Sequence, residues 1–541
     1  MKQKNTLVKN ASILMIASII SRVIGLLYRR PLGATLGSVG MGYYGVASNL
    51  YSILLLIYSY SIPMAISKIV SEKNALGQYR NAHKTFLGAM IYAVIVGGVT
   101  ALICWFGGRF LLPANQPNAL PALRALAPTI FLSAILGVFR GYFQAHKSMT
   151  PTSISQILEQ IMNALVSVIA AVVLIRTMAP EGGANAAIFG AMGGTIGTGA
   201  GVAVVLIVML YVFRINRGFF RRRRNRDIHS TEESYGDIFK DIILMITPII
   251  FTSFIYNCSA YLNTYVYSSI QGLHGIDSEL IMAAYGEYSN YYIPMIGIPL
   301  ALASAGTSAM MPEVSESYAV GDRREVNRKS NETIRLSMFV CIPCMIGLTV
   351  LAYPIMGVLF PASSDLAAKL LMFGSIFVVT DSFSIVTGGV LQSIGQQKTA
   401  LINSAVSLGG NLASLALLLA LFPQLDVYAV MISNILFTVV CCVLNTLSLR
   451  KYLRFRMEIR KTYIEPLIAS AVMGAVAFAL YSLIASVTKR PSIGLFVSII
   501  AAIFVYLIIY VKISHTGEAE MRKYPMGGMA VRVLKKIRVY R

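Results

Sequence analysis

Arg22, Arg29 and Arg30 are the residues whose chemistry is hardest to explain away. They lie in and just after the first apolar stretch, Ala11 to Leu27. A charged side chain near the middle of a membrane helix costs roughly 2.5 to 3.5 kcal/mol on insertion scales, so it must earn its place. A guanidinium is a planar fork of donors that matches phosphate oxygens. The trio fits an anion-binding site, and it also fits an internal ion pair with snorkelling at the interface. Glu159, Asp381 and Glu287 are carboxylates inside apolar segments. Each is expected to pair with a cation of the protein or to hold a coupling ion. Asn49 and Asn290 carry amides that suit sugar hydroxyls and interhelical hydrogen bonds equally well.

Other chemistries lack their parts. The histidines (His83, His146, His229, His274, His515) are scattered among expected loops and helix ends. Cys341-Ile342-Pro343-Cys344 has redox or zinc spacing but no second ligand pair. All six cysteines fall in apolar segments, where they act as small hydrophobes. Gly193, Gly197 and Gly201 lack the Lys-Ser/Thr of a phosphate loop and read as a close helix contact. With no nucleotide motif, nucleophile triad or metal cluster, neither an enzyme nor a cofactor is expected. The membrane potential or a monovalent cation is left as the drive.

The elements that position these residues must be membrane helices. Of 541 residues 56% are hydrophobic and 13% charged, and mean hydropathy is +0.68, more apolar surface than a water-soluble fold can bury. Apolar runs long enough to span occur from end to end, about fourteen at some 20 residues each, and none alternates as a barrel strand would. With the N-terminus inside, 37 of the 46 Lys and Arg fall on the inner side, among them Lys2, Lys4, Lys9 and the run Arg221 to Arg224. That lopsidedness sets an N-in/C-in orientation and accounts for the net charge of +23.

The chain also repeats itself. Tyr44-Gly45-Val46-Ala47-Ser48-Asn49-Leu50-Tyr51 returns as Tyr285-Gly286-Glu287-Tyr288-Ser289-Asn290-Tyr291-Tyr292. Val70-Ser71-Glu72 returns as Val314-Ser315-Glu316, Gly141 and Gln144 as Gly389 and Gln392, and Asn163 as Asn411. The matches keep their order at offsets of 241 to 248 residues, six helices apart, which predicts two like-oriented halves. The expected organisation is an N-lobe of helices 1 to 6 (1–213), a mobile basic linker (214–240), a C-lobe of helices 7 to 12 (241–449), helices 13 and 14 (450–512), and a basic tail (513–541) lying on the membrane surface.

Ser21-Arg22-Val23-Ile24-Gly25 followed by Arg29-Arg30-Pro31-Leu32-Gly33-Ala34 resembles the multidrug/oligosaccharidyl-lipid/polysaccharide exporter superfamily, and within it the MurJ-type lipid II flippases of the Gram-positive branch. Met311-Pro312-Glu313-Val314-Ser315 and Gly389-Val390-Leu391-Gln392-Ser393-Ile394-Gly395 extend the likeness over nearly the whole chain. The resemblance implies two six-helix lobes, helices 13 and 14 forming a groove for a lipid tail, and a multi-pass protein of the bacterial cytoplasmic membrane. It implies translocation of undecaprenyl-pyrophosphate-linked peptidoglycan precursor by alternating access, with Arg22 holding the pyrophosphate. A second family arginine falls opposite Tyr28, beside Arg29, and helix eight from Tyr285 to Pro299 lacks an arginine that relatives often carry. Implied partners are the lipid-linked oligosaccharide pyrophosphate, membrane lipids and the cell-wall synthesis machinery. Nucleic acid is not expected, because the basic runs have few interleaved aromatics. Three alternatives stay open: a flippase for another lipid-linked polysaccharide, a cation-coupled multidrug exporter using Glu159 and Asp381, and a non-transporting envelope scaffold.

Overall fold

The computed structural model describes Ala17 and residues 20–55, 61–146, 149–227, 230–522, 524 and 527–536; Lys2, Lys4, Lys9 and His229 fall outside them. Among the described residues every regular element is helical. α1 (20–27) continues into α2 (Arg29–Leu55) through hydrogen bonds from Tyr28 N to Ile24 O and from Leu32 N to Tyr28 O, both 3.1 Å. The rod breaks only at Gly37, where φ is +67°, a backbone shape that glycine adopts without steric cost. Arg29 and Arg30 are therefore helical residues of the same rod as Arg22.

Two compact units follow from packing, 1–290 and 291–541. The first holds α1, α2, α3 (Ile62–Ala75), α4 (Tyr79–Leu111), α5 (Leu120–Ala145), α6 (Thr150–Met178), α7 (Gly183–Arg226), α8 (Tyr235–Leu273) and α9 (Ser278–Glu287). A π-helical turn over Tyr288–Tyr292 leads into the second: α10 (Ile293–Ala319), α11 (Arg323–Val350), α12 (Ala352–Leu359), α13 (Asp365–Gly374), α14 (Phe377–Ser393), α15 (Gln397–Leu421), α16 (Val427–Leu453), α17 (Glu465–Thr488), α18 (Pro491–Ser514), α19 (Glu518–Met521) and α20 (Gly527–Lys536). Among the described residues nine helices are long and apolar enough to cross a membrane, or ten if α13 and α14, bent by 49°, form one broken span.

The internal repeat reappears as identical local structure. α3 ends with Gly77 at φ +77°, and α10 with Gly321 at φ +80°. Gln78 N donates to Lys73 O at 2.9 Å, and Asp322 N to Ser317 O at 3.0 Å, the six-to-one bond of a Schellman cap. In the first unit Ser71 Oγ donates to Ala145 O at 3.2 Å; in the second Ser315 Oγ donates to Ser393 O at 2.9 Å. A Cβ on Gly141 would stand 2.7 Å from Pro63 O, and one on Gly389 would collide with Thr307 Cγ2. The duplicated residues thus hold α3 to α5 and α10 to α14 by the same means.

The glycine ladder of α7 works as a close helix contact. Gly193 faces the Ala171 backbone, Gly197 that of Ser167, and Gly201 the Glu159 carbonyl, 2.6 Å from where its Cβ would be. Ser167 Oγ donates to Gly194 O at 2.7 Å. Small residues let two backbones approach, and the gain is dispersion and hydrogen bonding rather than burial from water.

Two polar segments carry defined contacts. In the linker, α7 carries the arginine run as helix to Arg226, and residues 231–233 contact the end of α3 and the start of α4. Lys73 pairs with Glu233, Lys84 Nζ donates to Glu233 O at 2.6 Å, and Asn81 Nδ2 donates to Thr231 O at 2.9 Å. Burial pushes the Asp227 carboxyl up, but hydrogen bonds from Ser230 and from the Arg80 backbone N–H outweigh it and hold the group below the usual carboxylate range. The tail also makes contacts with the rest of its unit. Val531 and Leu534 of α20 are buried, Tyr524 packs edge-on against Phe339 with centroids 4.5 Å apart, and Arg335 pairs with Glu520 at 3.0 Å.

Candidate functional site

The two copies of the Tyr-Gly motif meet each other within the first unit. α2 crosses α9 at Gly42, Gly45 and Gly286, where a Cβ on Gly286 would stand 2.5 Å from Ser38 O and 2.8 Å from Gly42 N. Around this crossing the sequence-predicted site residues assemble into a clasp. Arg29 Nη1 donates to Asn290 O at 2.9 Å, to Asn290 Oδ1 at 3.2 Å and to Ser289 O at 3.3 Å. Asn290 Nδ2 donates back to Met41 O at 2.6 Å. Ser38 Oγ donates to Glu287 Oε1 at 3.0 Å, and Asn49 Nδ2 donates to the Tyr285 hydroxyl, which also bonds Thr264 Oγ1.

Asn290 and Glu287 are almost wholly buried at this crossing, each 2% exposed. Of the alternatives open for Asn49 and Asn290, interhelical bonding is what this state of the molecule displays. Ser38, Thr264 and Tyr285 join the clasp although nothing marked the first two. Only Tyr285 carried a signal, its place in the repeated motif.

The arginines divide. Arg29 is half-buried in the clasp, whereas Arg22 and Arg30 are exposed. Arg22 precedes Arg29 by seven residues, close to two helical turns, which sets it about 10 Å along the axis on the same face. Arg30 points about 100° around the rod from Arg29. The α1–α2 rod also carries Tyr28, whose buried hydroxyl bonds that of Tyr44 at 2.9 Å.

Glu159 pairs with a residue that no local signal marked as its partner. Arg140 of α5 reaches it at 2.6 Å and also donates to Ser155 Oγ at 3.0 Å. The Arg140 side chain is only 8% exposed, so the pair is a structural clamp between α5 and α6. Asp381 lies apart in α14 of the second unit, half-buried, with the Cys341 and Cys442 thiols as neighbours and no hydrogen bond or ion pair to a described residue. No three metal-ligating side chains converge among the described residues.

In the arrangement seen here the clasp is closed, with Arg29 bonded to Ser289 and Asn290 and glycines bringing α2 against α9. The family pattern described as "Polysaccharide biosynthesis protein" matches residues 7–318, and the MatE pattern matches residues 248–417. The chain is 23% identical to the lipid II flippase MurJ of Bacillus subtilis over 86% of this chain and 87% of that protein. It is likewise 23% identical to stage V sporulation protein B of the same organism, over 98% and 99%. Among solved structures it is similar to a MurJ lipid II flippase in an inward closed conformation, with TM-score 0.67 and 15% identity over 93% of this chain and 98% of that one. An inward-facing multidrug resistance MATE transporter of the MOP superfamily gives TM-score 0.65 at 14% identity, over 83% and 98%. The expected kinship with MurJ-type flippases and their superfamily fold is borne out, as is a multi-pass bacterial membrane protein.

Proposed function

The chain belongs to the polysaccharide biosynthesis protein family, and from that membership we propose that it is a flippase carrying a lipid-linked cell-wall precursor, lipid II, from the inner to the outer leaflet. The observation that carries this reading is the α1–α2 rod. Arg22 and Arg29 share one face, and Arg29 is capped by carbonyl oxygens of Ser289 and Asn290. Carbonyl oxygens are weaker acceptors for a guanidinium than a charged phosphate, so a pyrophosphate can displace them. In this scheme Arg22 takes the pyrophosphate first, the α2–α9 clasp opens, Arg29 is handed to the anion, and Asn49 and Asn290 become free for the sugar hydroxyls. Alternating access on fourteen spans with both termini inside is the topology this requires.

The membrane potential favours moving a negative headgroup outward by about 2.3 kcal/mol per charge per 100 mV, so a pyrophosphate has its own drive. Asp381 is the carboxylate that a coupling cation would use, since Glu159 is neutralised by Arg140. A triple-arginine rod suits anionic cargo and disfavours the cationic substrates of a drug exporter.

The test is outer-leaflet lipid II in cells depleted of this protein and lacking redundant flippases, read by an added enzyme or toxin that cleaves only exposed headgroups. The expected result is a fall in exposed lipid II that wild type restores and Arg22→Ala, inserted at equal level, does not. Unchanged exposure on depletion sinks lipid II as cargo and moves the reading to another carrier-linked glycan.

A further inference from the structure

We propose that the overhanging end of α7 forms a binding site for the headgroup of an anionic phospholipid, separate from the α2–α9 clasp. α7 has 44 residues, about 66 Å of helix against a hydrocarbon core of about 30 Å. Its arginine-bearing end therefore leaves the apolar layer and stands at headgroup depth. Arg214, Arg217, Arg221 and Arg224 recur at intervals of three and four, which puts them on one stripe of that end. All four are exposed, and among the described residues none forms a salt bridge.

The stripe lines a cavity of about 800 Å³ together with His83, Phe86, Phe213 and Phe220. Its floor is fixed by ring packing among three helices. Phe86 of α4 stacks on Phe213 at 5.3 Å between centroids, Phe213 on Phe220 at 5.5 Å, and Tyr142 of α5 meets Phe220 at 5.0 Å. Such a floor holds the cations in place before any ligand arrives, which lowers the ordering cost of binding. Arg223, off the stripe, is spent differently: it sits over the Tyr79 and Phe219 rings at 5.6 and 4.8 Å. Glu232, which lines the adjoining recess, pairs with Lys84 at 3.6 Å.

A lipid rather than a free anion is indicated by what adjoins the cavity. Leu87 and Ile91 on α4 and Ile207 and Leu210 on α7 are 41 to 66% exposed and lead from the charged cavity along the apolar faces of the same two helices, a wall for acyl chains. Basic recesses between membrane helices at headgroup level are the usual seats of anionic lipids. The inference needs the chain to be a membrane protein and does not need it to transport anything.

The experiment uses the purified full-length protein in detergent, titrated with short-chain phosphatidylglycerol, short-chain phosphatidylcholine or inorganic phosphate while the unfolding midpoint is read. Phosphatidylglycerol is expected to raise the midpoint saturably and phosphatidylcholine to leave it unmoved. The double variant R217Q/R221Q, which keeps Arg222, Arg223 and Arg226 for topology, is expected to weaken the phosphatidylglycerol response at least tenfold. Should that variant misfold, R214Q/R224Q asks the same question from the two ends of the stripe. Equal responses to both lipids, a response the variants do not change, or inorganic phosphate reproducing the phosphatidylglycerol curve each overturn the proposal. Binding is read without transport, so its loss and the loss of flipping are scored separately.

Discussion

Arg29 donates to Asn290 twice, to the backbone carbonyl at 2.9 Å and to the side-chain carbonyl at 3.2 Å. Each residue has the chemistry of a substrate contact, and each here satisfies the other across a helix crossing. A guanidinium in a membrane protein cannot be left without acceptors, because no water is at hand to supply them. In the proposed flippase the clasp is a resting partner that a transported anion must outcompete.

If the clasp opens during the transport cycle, a covalent bond across it stops the cycle. A Cβ on Gly45 would lie 3.4 Å from Ser289 Cβ, close to the range of about 3.5 to 4.5 Å found in disulfides. In a background stripped of the six native cysteines, the pair Gly45→Cys and Ser289→Cys is expected to cross-link on mild oxidation. Flipping should cease and return on reduction. Undiminished flipping by the cross-linked protein would show that α2 and α9 never separate.

Arg140 and Glu159 should behave as a clamp. Replacing Glu159 by Leu leaves the Arg140 charge buried without its partner, for which about 3 to 5 kcal/mol of stability is the usual loss. The double change Arg140→Met with Glu159→Leu removes both charges and is expected to cost less than the single. Thermal unfolding of the wild type, Glu159→Leu, Arg140→Met and the double variant forms the cycle. A single variant of normal stability whose flipping changes its dependence on cation concentration would instead make Glu159 a coupling site.

The glycines of the repeat give a stability test with an internal control. Gly141→Ala and Gly389→Ala push a methyl into Pro63 O and Thr307 Cγ2, and overpacking of this kind costs about 1 to 3 kcal/mol. Gly347, within α11, has nothing within 4 Å of its Cβ position, so Gly347→Ala should be neutral or stabilising by up to about 1 kcal/mol. Equal effects at all three positions would mean that the duplicated contacts do not hold the helices together.

Local physics made much of this protein readable from its residues alone. Composition and run length required membrane helices. The Gly193-Gly197-Gly201 spacing required a close helical neighbour, and the recurrence of Ser71 and Gly77 as Ser315 and Gly321 required two like halves. Each is a statement about neighbours within a few turns or about the solvent, and the sequence carries both. The pairings were decided elsewhere. A guanidinium in lipid demands acceptors, but nothing local to Arg29 designates a carbonyl 261 residues away. Glu159 announced its need for a cation, yet nothing local to it designates Arg140, 19 residues earlier on α5. Likewise nothing in the charged linker and tail designates Lys73 for Glu233 or Arg335 for Glu520. Which charge meets which is settled by how helices of low internal contrast pack, where many registers satisfy the same hydropathy and only side-chain shape across distant segments selects one.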